Sequence, residues 1–180
     1  MKFIIYRFKK VKSTNDTAIR ILKKFKNNYG MIISETQTNG RGQYGNKWIS
    51  LNGNLFMSLF FEIENFRFSL TKLTTLNCLL IKKVLSFYYK KKIVLKKPND
   101  LIIDKKKICG ILQETVSING KKFLVVGIGL NLIKNPNIRD YPTTNLYTLT
   151  NKKVPKKKIE NEIKKIFEKN LNKFNRFKKN

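Results

Sequence analysis

The chain has 180 residues, a length typical of one domain that builds its own hydrophobic core. Its 39 Lys and Arg residues against 11 Asp and Glu give a formal charge of +28, which makes nucleic acid one candidate partner. Because the chain contains no His, imidazole acid–base chemistry, Ser–His or Cys–His nucleophile pairs and His-bound metal sites are excluded.

The basic residues are 33 Lys and only 6 Arg, which favours a solvated lysine-rich surface over a dedicated nucleic-acid footprint. Cys78 and Cys109 do not have the spacing of a metal site or a disulfide framework, so we expect both to be reduced and buried. The longest charge-free apolar segment, residues 123–133, is too short to cross a bilayer, and Arg7 interrupts the apolar N-terminal run. We therefore expect a cytoplasmic protein without a membrane partner.

The first half of the chain predicts strands and helices in alternation. A strand over residues 3–8 precedes a helix that begins near Ser13 and is closed by Gly30, and a second strand covers residues 31–35. A polar, glycine-rich loop over residues 36–47 leads into a strong strand over residues 54–63. One apolar face of a long helix is then predicted at Leu73, Leu76, Leu80, Val84 and Phe87.

The second half predicts a short strand over residues 93–95, a turn over 98–100, and two long strands over 107–118 and 122–132. Asn119-Gly120 between the long strands is a hairpin signal. Pro155 starts a last helix, whose apolar face runs from Ile159 to Phe174. These elements in mixed order predict an α+β domain in which helices back a mixed β-sheet.

The loop QTNGRGQYGNKW, residues 37–48, places three glycines around Arg41. Glycines let backbone N–H groups approach an anion closely, and a guanidinium can grip phosphate or carboxylate oxygens with two hydrogen bonds. An anion-binding loop is the functional interpretation. An ordinary surface turn is the alternative, because short glycine-rich matches are weak signals.

A second candidate site combines Asp100, at the end of Pro98-Asn99-Asp100, with Lys107. If the flanking strands form a hairpin, the two side chains project near one rim, where the ammonium could neutralise a carboxylate or a phosphate. A basic turn in a lysine-rich protein is the alternative. Gly110 leaves room for a flat ligand on the strand, although a bulge explains it equally well.

Two glycines of the segment VVGIGLN, Gly127 and Gly129, lie on the same face of a predicted strand that ends at Asn131. They make a groove, for a ligand or for a closely packed helix. Near the N-terminus, Ser13-Thr14-Asn15 could hydrogen-bond a ureido or carbonyl group, or cap a helix.

Taken in order, the segments STN, QTNGRGQYGNKW, GNLFMSL, PNDL, KKICGILQE and VVGIGLNL resemble the catalytic domain of biotin protein ligases, over residues 13–132. The resemblance implies a fold like that of class II aminoacyl-tRNA synthetases. It also implies that biotin and ATP, with Mg²⁺, form biotinyl-5′-AMP and pyrophosphate. The biotinyl group would then pass to a lysine of a biotin carboxyl carrier protein of acetyl-CoA carboxylase or a related carboxylase.

The resemblance also implies site residues. Those matching contacts to biotin or its adenylate are Ser13, Thr14, Asn15, Gln37, Gly40, Arg41, Gly42, Gln43, Lys107, Gly110, Ile111 and Leu112. Those assigned to the nucleotide are Trp48, Asn99, Gly127 and Asn131. Lys107 and Arg41 would offset charge at the reacting carboxylate and phosphate, with Asp100 orienting Lys107 or the metal. We expect no set of protein metal ligands.

Two positions depart from the family pattern: Gln43 stands where many members carry a second Arg, and Lys97 where a Trp is usual. We expect residues 1–180 to form a single catalytic domain, monomeric or weakly dimeric. Neither the small C-terminal β domain of many members nor the DNA-binding domain of the repressor type is expected, so no specific DNA partner follows. The alternatives are a lipoate or octanoate ligase of the same superfamily, and a basic nucleic-acid-binding protein without catalysis.

Overall fold

The computed structural model describes residues 2–25, 27–63, 69–139 and 141–175. Within these ranges, seven strands form one sheet in the order β1-β2-β3-β7-β6-β5-β4. Only β1 and β2 pair in parallel, and the other five neighbouring pairs are antiparallel, which confirms the predicted mixed sheet. The strands are β1 (Ile4–Val11), β2 (Tyr29–Gln37), β3 (Leu55–Glu62), β4 (Val94–Lys96), β5 (Asp100–Ile103), β6 (Lys106–Ile118) and β7 (Lys121–Leu130).

Helices cover both faces of the sheet. They are α1 (Thr14–Lys24), α2 (Leu70–Leu85), α3 (Leu146–Thr150) and α4 (Lys156–Asn175). The helix α1 packs on a small core that includes Ile32, Phe60 and Val125, whereas α2 and α4 bury a larger core on the opposite face. Because β3 is covered on both sides, all eight of its residues are buried, and its sequence is a continuous apolar run rather than an alternation. None of the helices within the described ranges is both long and apolar enough to cross a membrane.

Two predicted boundaries were wrong. The helix α1 ends at Lys24, and Gly30 lies in β2, where a Cβ atom would come 2.1 Å from the ring of Phe60. Gly30 is therefore required by close packing between β2 and β3, and it does not close a helix. The helix α2 ends at Leu85, so Phe87 lies beyond it and is 58% exposed.

Asp100 was predicted in a turn but begins the strand β5, which pairs with both β4 and β6. The strand β5 has four residues and the helix α3 has five, and such short segments show no detectable period in the sequence. The hairpin at Asn119-Gly120 is confirmed, because both residues have positive φ, as the tight turn between β6 and β7 requires.

The last helix begins at Lys156, directly after Pro155, and buries Ile159, Ile163 and Phe167 as predicted. The side chain of Phe174 lies outside the described part of the chain. Both cysteines are buried and free, which confirms the expectation for Cys78 and Cys109.

Candidate functional site

A cavity of about 590 Å³ lies between the start of α1, the loop over residues 41–48, the turn over 96–100 and the strands β6 and β7. Most of the residues singled out in the sequence lie on its wall, although they come from segments far apart in the chain. These residues are Ser13, Thr14, Asn15, Gln37, Arg41, Gly42, Gln43, Trp48, Asn99, Asp100, Lys107, Gly110, Ile111, Leu112 and Gly127.

At one end of the cavity, the ammonium of Lys107 lies 2.7 Å from Asp100 Oδ1, and both side chains are largely shielded from solvent. The hydroxyl of Tyr141 donates to Asp100 Oδ2 at 2.5 Å. Burial raises the pKa of Tyr141, and the bond to Asp100 raises it further, so this hydroxyl remains a donor at neutral pH. The rim shared by Asp100 and Lys107 follows from the β5–β6 pairing, whereas Tyr141 comes from a segment in which sequence reasoning found no signal.

At the other end, Arg41 Nη2 lies 2.8 Å from Asp16 Oδ1 and 2.8 Å from Glu114 Oε2. Glu114 Oε2 also accepts a 2.7 Å hydrogen bond from the side-chain amide of Asn15. The ion pairs tie the glycine-rich loop to both α1 and β6. Sequence reasoning missed Asp16 and Glu114, because nothing local to either residue indicates a partner so distant in the chain.

Arg41 and Lys107 therefore line the same cavity from different ends. Nζ of Lys107 reaches to within 3.1 Å of the position that a Cβ atom on Gly110 would take. Glu114, which holds Arg41, lies four residues farther along β6, or about 13 Å at the usual rise of a strand.

The floor between the two cations is made of glycine. Gly110 and Gly129 are paired across β6 and β7, and the indole of Trp48 lies directly on them. A Cβ atom on Gly129 would come 2.3 Å from Trp48 Cε2, and one on Gly127 would come 2.3 Å from Asn15 Oδ1. The predicted glycine groove is thus present. The indole of Trp48 lies in it at Gly129, and at Gly127 it is occupied by Asn15, from the first turn of the packed helix α1.

Hydroxyl and amide groups converge at the start of α1. Ser13 caps the helix by accepting from the backbone N–H of Asp16, while the backbone N–H and hydroxyl of Thr14 donate to Gln37 Oε1 at 2.8 and 3.0 Å. Ser58 Oγ donates to Asn15 Oδ1 at 2.5 Å. Both interpretations of Ser13-Thr14-Asn15, helix capping and ligand binding, are therefore compatible with the structure, since the tripeptide caps α1 and also places polar groups on the cavity wall.

Among the described residues, three polar atoms of the loop over residues 41–48 are buried without a hydrogen-bond partner: Arg41 Nε, Gln43 Oε1 and Trp48 Nε1. Buried polar atoms are almost always paired in folded proteins, so three such atoms on one cavity wall are typical of a surface that binds a polar ligand.

Residues 7–131 match the model of the Biotin/lipoate A/B protein ligase family. The chain belongs to this family. Among solved structures, it is similar to the biotin protein ligase from Aquifex aeolicus in complex with biotin and ATP, with 30% identity and a TM-score of 0.79 over 95% of this chain and 71% of that one. It is similar as well to the Leishmania major biotin protein ligase in complex with biotinyl-5-AMP, with 25% identity and a TM-score of 0.81 over 96% and 76% of the two chains.

Among curated relatives, the bifunctional ligase/repressor BirA of Escherichia coli (strain K12) is 34% identical over 102 residues, which are 56% of this chain and 32% of that protein. The chain spans about a third to a half of the length of the curated bacterial relatives that it matches. Membership of the ligase family and the shared fold confirm the family resemblance and the α+β class predicted from the sequence.

Two predicted site residues, Gly40 and Asn131, do not lie on the wall of the cavity. Gly40 packs beneath the loop, where a Cβ atom would come 2.5 Å from the carbonyl oxygen of Trp48. Asn131 is fully buried, and its amide donates to the carbonyl of Thr144 at 3.1 Å. The structure therefore places both residues where they support the site rather than where they touch a ligand in the cavity.

Proposed function

We propose that this chain is an ATP-dependent ligase that activates biotin as biotinyl-5′-AMP and transfers the biotinyl group to a lysine of a biotin carboxyl carrier protein. The observation that carries the proposal is the single cavity that combines the hydroxyl and amide cluster, the Lys107–Asp100 pair and the loop bearing Arg41. Membership of the ligase family and the similarity to structures holding biotin with ATP, or biotinyl-5-AMP, support the same conclusion.

In the first step, a carboxylate oxygen of biotin attacks the α-phosphorus of ATP, and the bond from that phosphorus to the bridging oxygen of pyrophosphate breaks. Both reactants are anions, so fixed positive charge at the junction lowers the barrier. Lys107 supplies this charge beside Gly110, at one end of the glycine floor. Arg41 Nη2 is already shared between Asp16 and Glu114, so we assign the contact with the adenylate to the other guanidinium nitrogens, Nε and Nη1.

Biotin is proposed to lie with its ureido ring toward Thr14, Asn15 and Gln37, whose hydroxyl and amide groups suit a planar group that both donates and accepts hydrogen bonds. Ile111 and Leu112 supply the apolar wall beside the rings. Trp48 and Asn99, both on the cavity wall, are assigned to the nucleotide. The loop over residues 41–48 would shield the mixed anhydride from water until the acceptor arrives.

Mg²⁺ is proposed to enter as part of the nucleotide substrate. Within the described ranges, no group of three or more His, Cys, Asp or Glu side chains could hold a metal ion. Mg²⁺ in such sites takes most of its ligands from substrate phosphates and water, which fits a cavity without an acidic cluster. Asp100 is already bonded to Lys107 and Tyr141, so we assign it to orienting Lys107.

In the second step, the uncharged amine of the acceptor lysine attacks the acyl carbon. The bond between that carbon and the phosphate oxygen breaks, AMP leaves, and the amine loses its proton as the amide forms. A biotin carboxyl carrier protein in the cytoplasm is the proposed partner.

The test is incubation with biotin, MgATP and a biotin carrier domain, followed by intact mass measurement of the carrier. One added biotinyl group per carrier is expected. Lys107→Ala and Arg41→Ala should each reduce the labelling rate by roughly 100- to 1,000-fold, the usual loss on removing one group that stabilises developing charge. Lys83→Ala, on the solvent side of α2, is the matched control and should label normally.

Full activity in both cavity variants would overturn the site assignment. If exchange of pyrophosphate into ATP depends on lipoate or octanoate and not on biotin, the substrate is that of the related lipoate or octanoate ligases.

A further inference from the structure

The segment that follows β7 folds back over the start of β6 and encloses Lys107. The backbone N–H of Lys107 donates to the carbonyl of Pro142 at 2.8 Å, and its carbonyl accepts from the N–H of Thr144 at 2.9 Å. On its other side, Lys107 is paired with Ile102 of β5. The backbone of this lysine is therefore fixed from both edges of β6, and the segment over residues 141–144 provides one of the two edges.

Buried asparagines hold this segment in place. Asn54 Oδ1 accepts from three successive backbone N–H groups, residues 132–134, at 3.0 to 3.2 Å. Its amide nitrogen lies 3.4 Å from Asn131 Oδ1, and Asn131 in turn donates to the carbonyl of Thr144. Since Asn54 and Asn131 are both fully buried, their bonds give the segment a single conformation.

Within this segment, Tyr141 restrains the Lys107–Asp100 pair in two ways. Its hydroxyl occupies one oxygen of the Asp100 carboxylate, which leaves the other oxygen facing Lys107 at 2.7 Å. Its ring centroid lies 5.3 Å from Nζ of Lys107 and 4.3 Å from Nζ of Lys96, within the range of cation–π attraction.

We propose that Tyr141 is a positioning residue for formation of the adenylate, which acts through Asp100 to fix the ammonium of Lys107 at the reacting junction. This inference rests on the proposed function. A lysine side chain has four rotatable bonds, and a charge misplaced by about 1 Å can cost two orders of magnitude in rate. Asp100 removes that freedom by direct contact with the ammonium, and Tyr141 fixes the Asp100 carboxylate that makes this contact.

The test is Tyr141→Phe, which keeps the ring and removes only the hydroxyl, assayed by biotin-dependent exchange of pyrophosphate into ATP. We expect kcat to fall roughly 10- to 100-fold, the usual value of a hydrogen bond to a charged group. The KM values for biotin and ATP should stay near those of the wild type, and the melting temperature should fall by only a few degrees, as expected for the loss of one hydrogen bond to a largely buried carboxylate. Tyr147→Phe, in α3, is the matched control and should exchange normally.

A double-mutant cycle separates positioning from a general structural effect. In an Asp100→Ala background, Tyr141→Phe should cause no further loss, because the hydroxyl has lost the group through which it acts. Equal losses in both backgrounds, or wild-type exchange in Tyr141→Phe, would overturn the inference and leave the proposed ligase activity intact. Absence of biotin-dependent exchange in the wild type would overturn both.

Discussion

Gly129→Ala is expected to displace Trp48, the only tryptophan in the chain. The added Cβ atom would lie 2.3 Å from Cε2 and 2.5 Å from Cζ2 of the indole. Non-bonded carbon atoms normally come no closer than about 3.5 Å, so the ring must move by about 1 Å. Overpacking of this kind costs about 1 to 3 kcal/mol, which lowers the melting temperature by roughly 2 to 12 °C in a chain of this size.

Fluorescence reports the displacement, because emission excited at wavelengths beyond the absorption of the seven tyrosines comes from Trp48 alone. We expect a shifted emission maximum, greater quenching by acrylamide and weaker binding of ATP by calorimetry. Gly127→Ala is the matched control on the same face of β7, since its Cβ atom meets Asn15 instead. It should lose a similar amount of stability and weaken biotin binding while the emission spectrum stays unchanged. Wild-type emission in Gly129→Ala, or equal spectral shifts in both variants, would refute this account of the glycine floor.

Three further outcomes are expected. Gln43→Arg adds a cation to the loop and should slow release of radiolabelled biotinyl-5′-AMP by roughly 10- to 100-fold; an unchanged off-rate would contradict a role for this position in retaining the adenylate. Because the chain carries a charge of +28, the rate of carrier biotinylation should fall steeply with ionic strength, and a flat salt profile would exclude electrostatic steering of an acidic carrier. Burial raises the pKa of Cys78 to about 12 and that of Cys109 well above its usual value, so neither thiol ionises at about pH 8. Iodoacetamide should label both only after denaturation, and rapid labelling of the folded protein would be inconsistent with this core.

The longer elements could be predicted because each shows its period in the sequence. The alternation and apolar runs of β2, β3, β6 and β7 indicate strands, and the spacing from Leu73 to Val84 indicates a helix. The order of the strands in the sheet could not be predicted in this way. The strands β3 and β7 pair although they are far apart in the chain, and no local pattern specifies that pairing.

The residues of the candidate site also fall into two groups, those that the sequence indicates and those that only the folded chain brings to the site. Arg41, Lys107 and the glycines belong to short segments whose composition fits anion binding and ordinary turns alike, and the resemblance of the ordered segments to biotin protein ligases singled them out. Glu114 and Tyr141 act on those residues only through contacts made by the folded chain. Asn131 follows directly after the end of β7 and is fully buried, so it does not line the cavity, and its assignment to the nucleotide stays a prediction.

The strand β7 is the last of the seven in the chain and yet lies between β3 and β6 in the sheet. The sheet can therefore close only after residue 130 has been synthesised, because β7 is the partner of one edge of β3 and of one edge of β6. The wall of the candidate site that β6 and β7 form depends on the same late step, so a chain that ends before β7 would lack it.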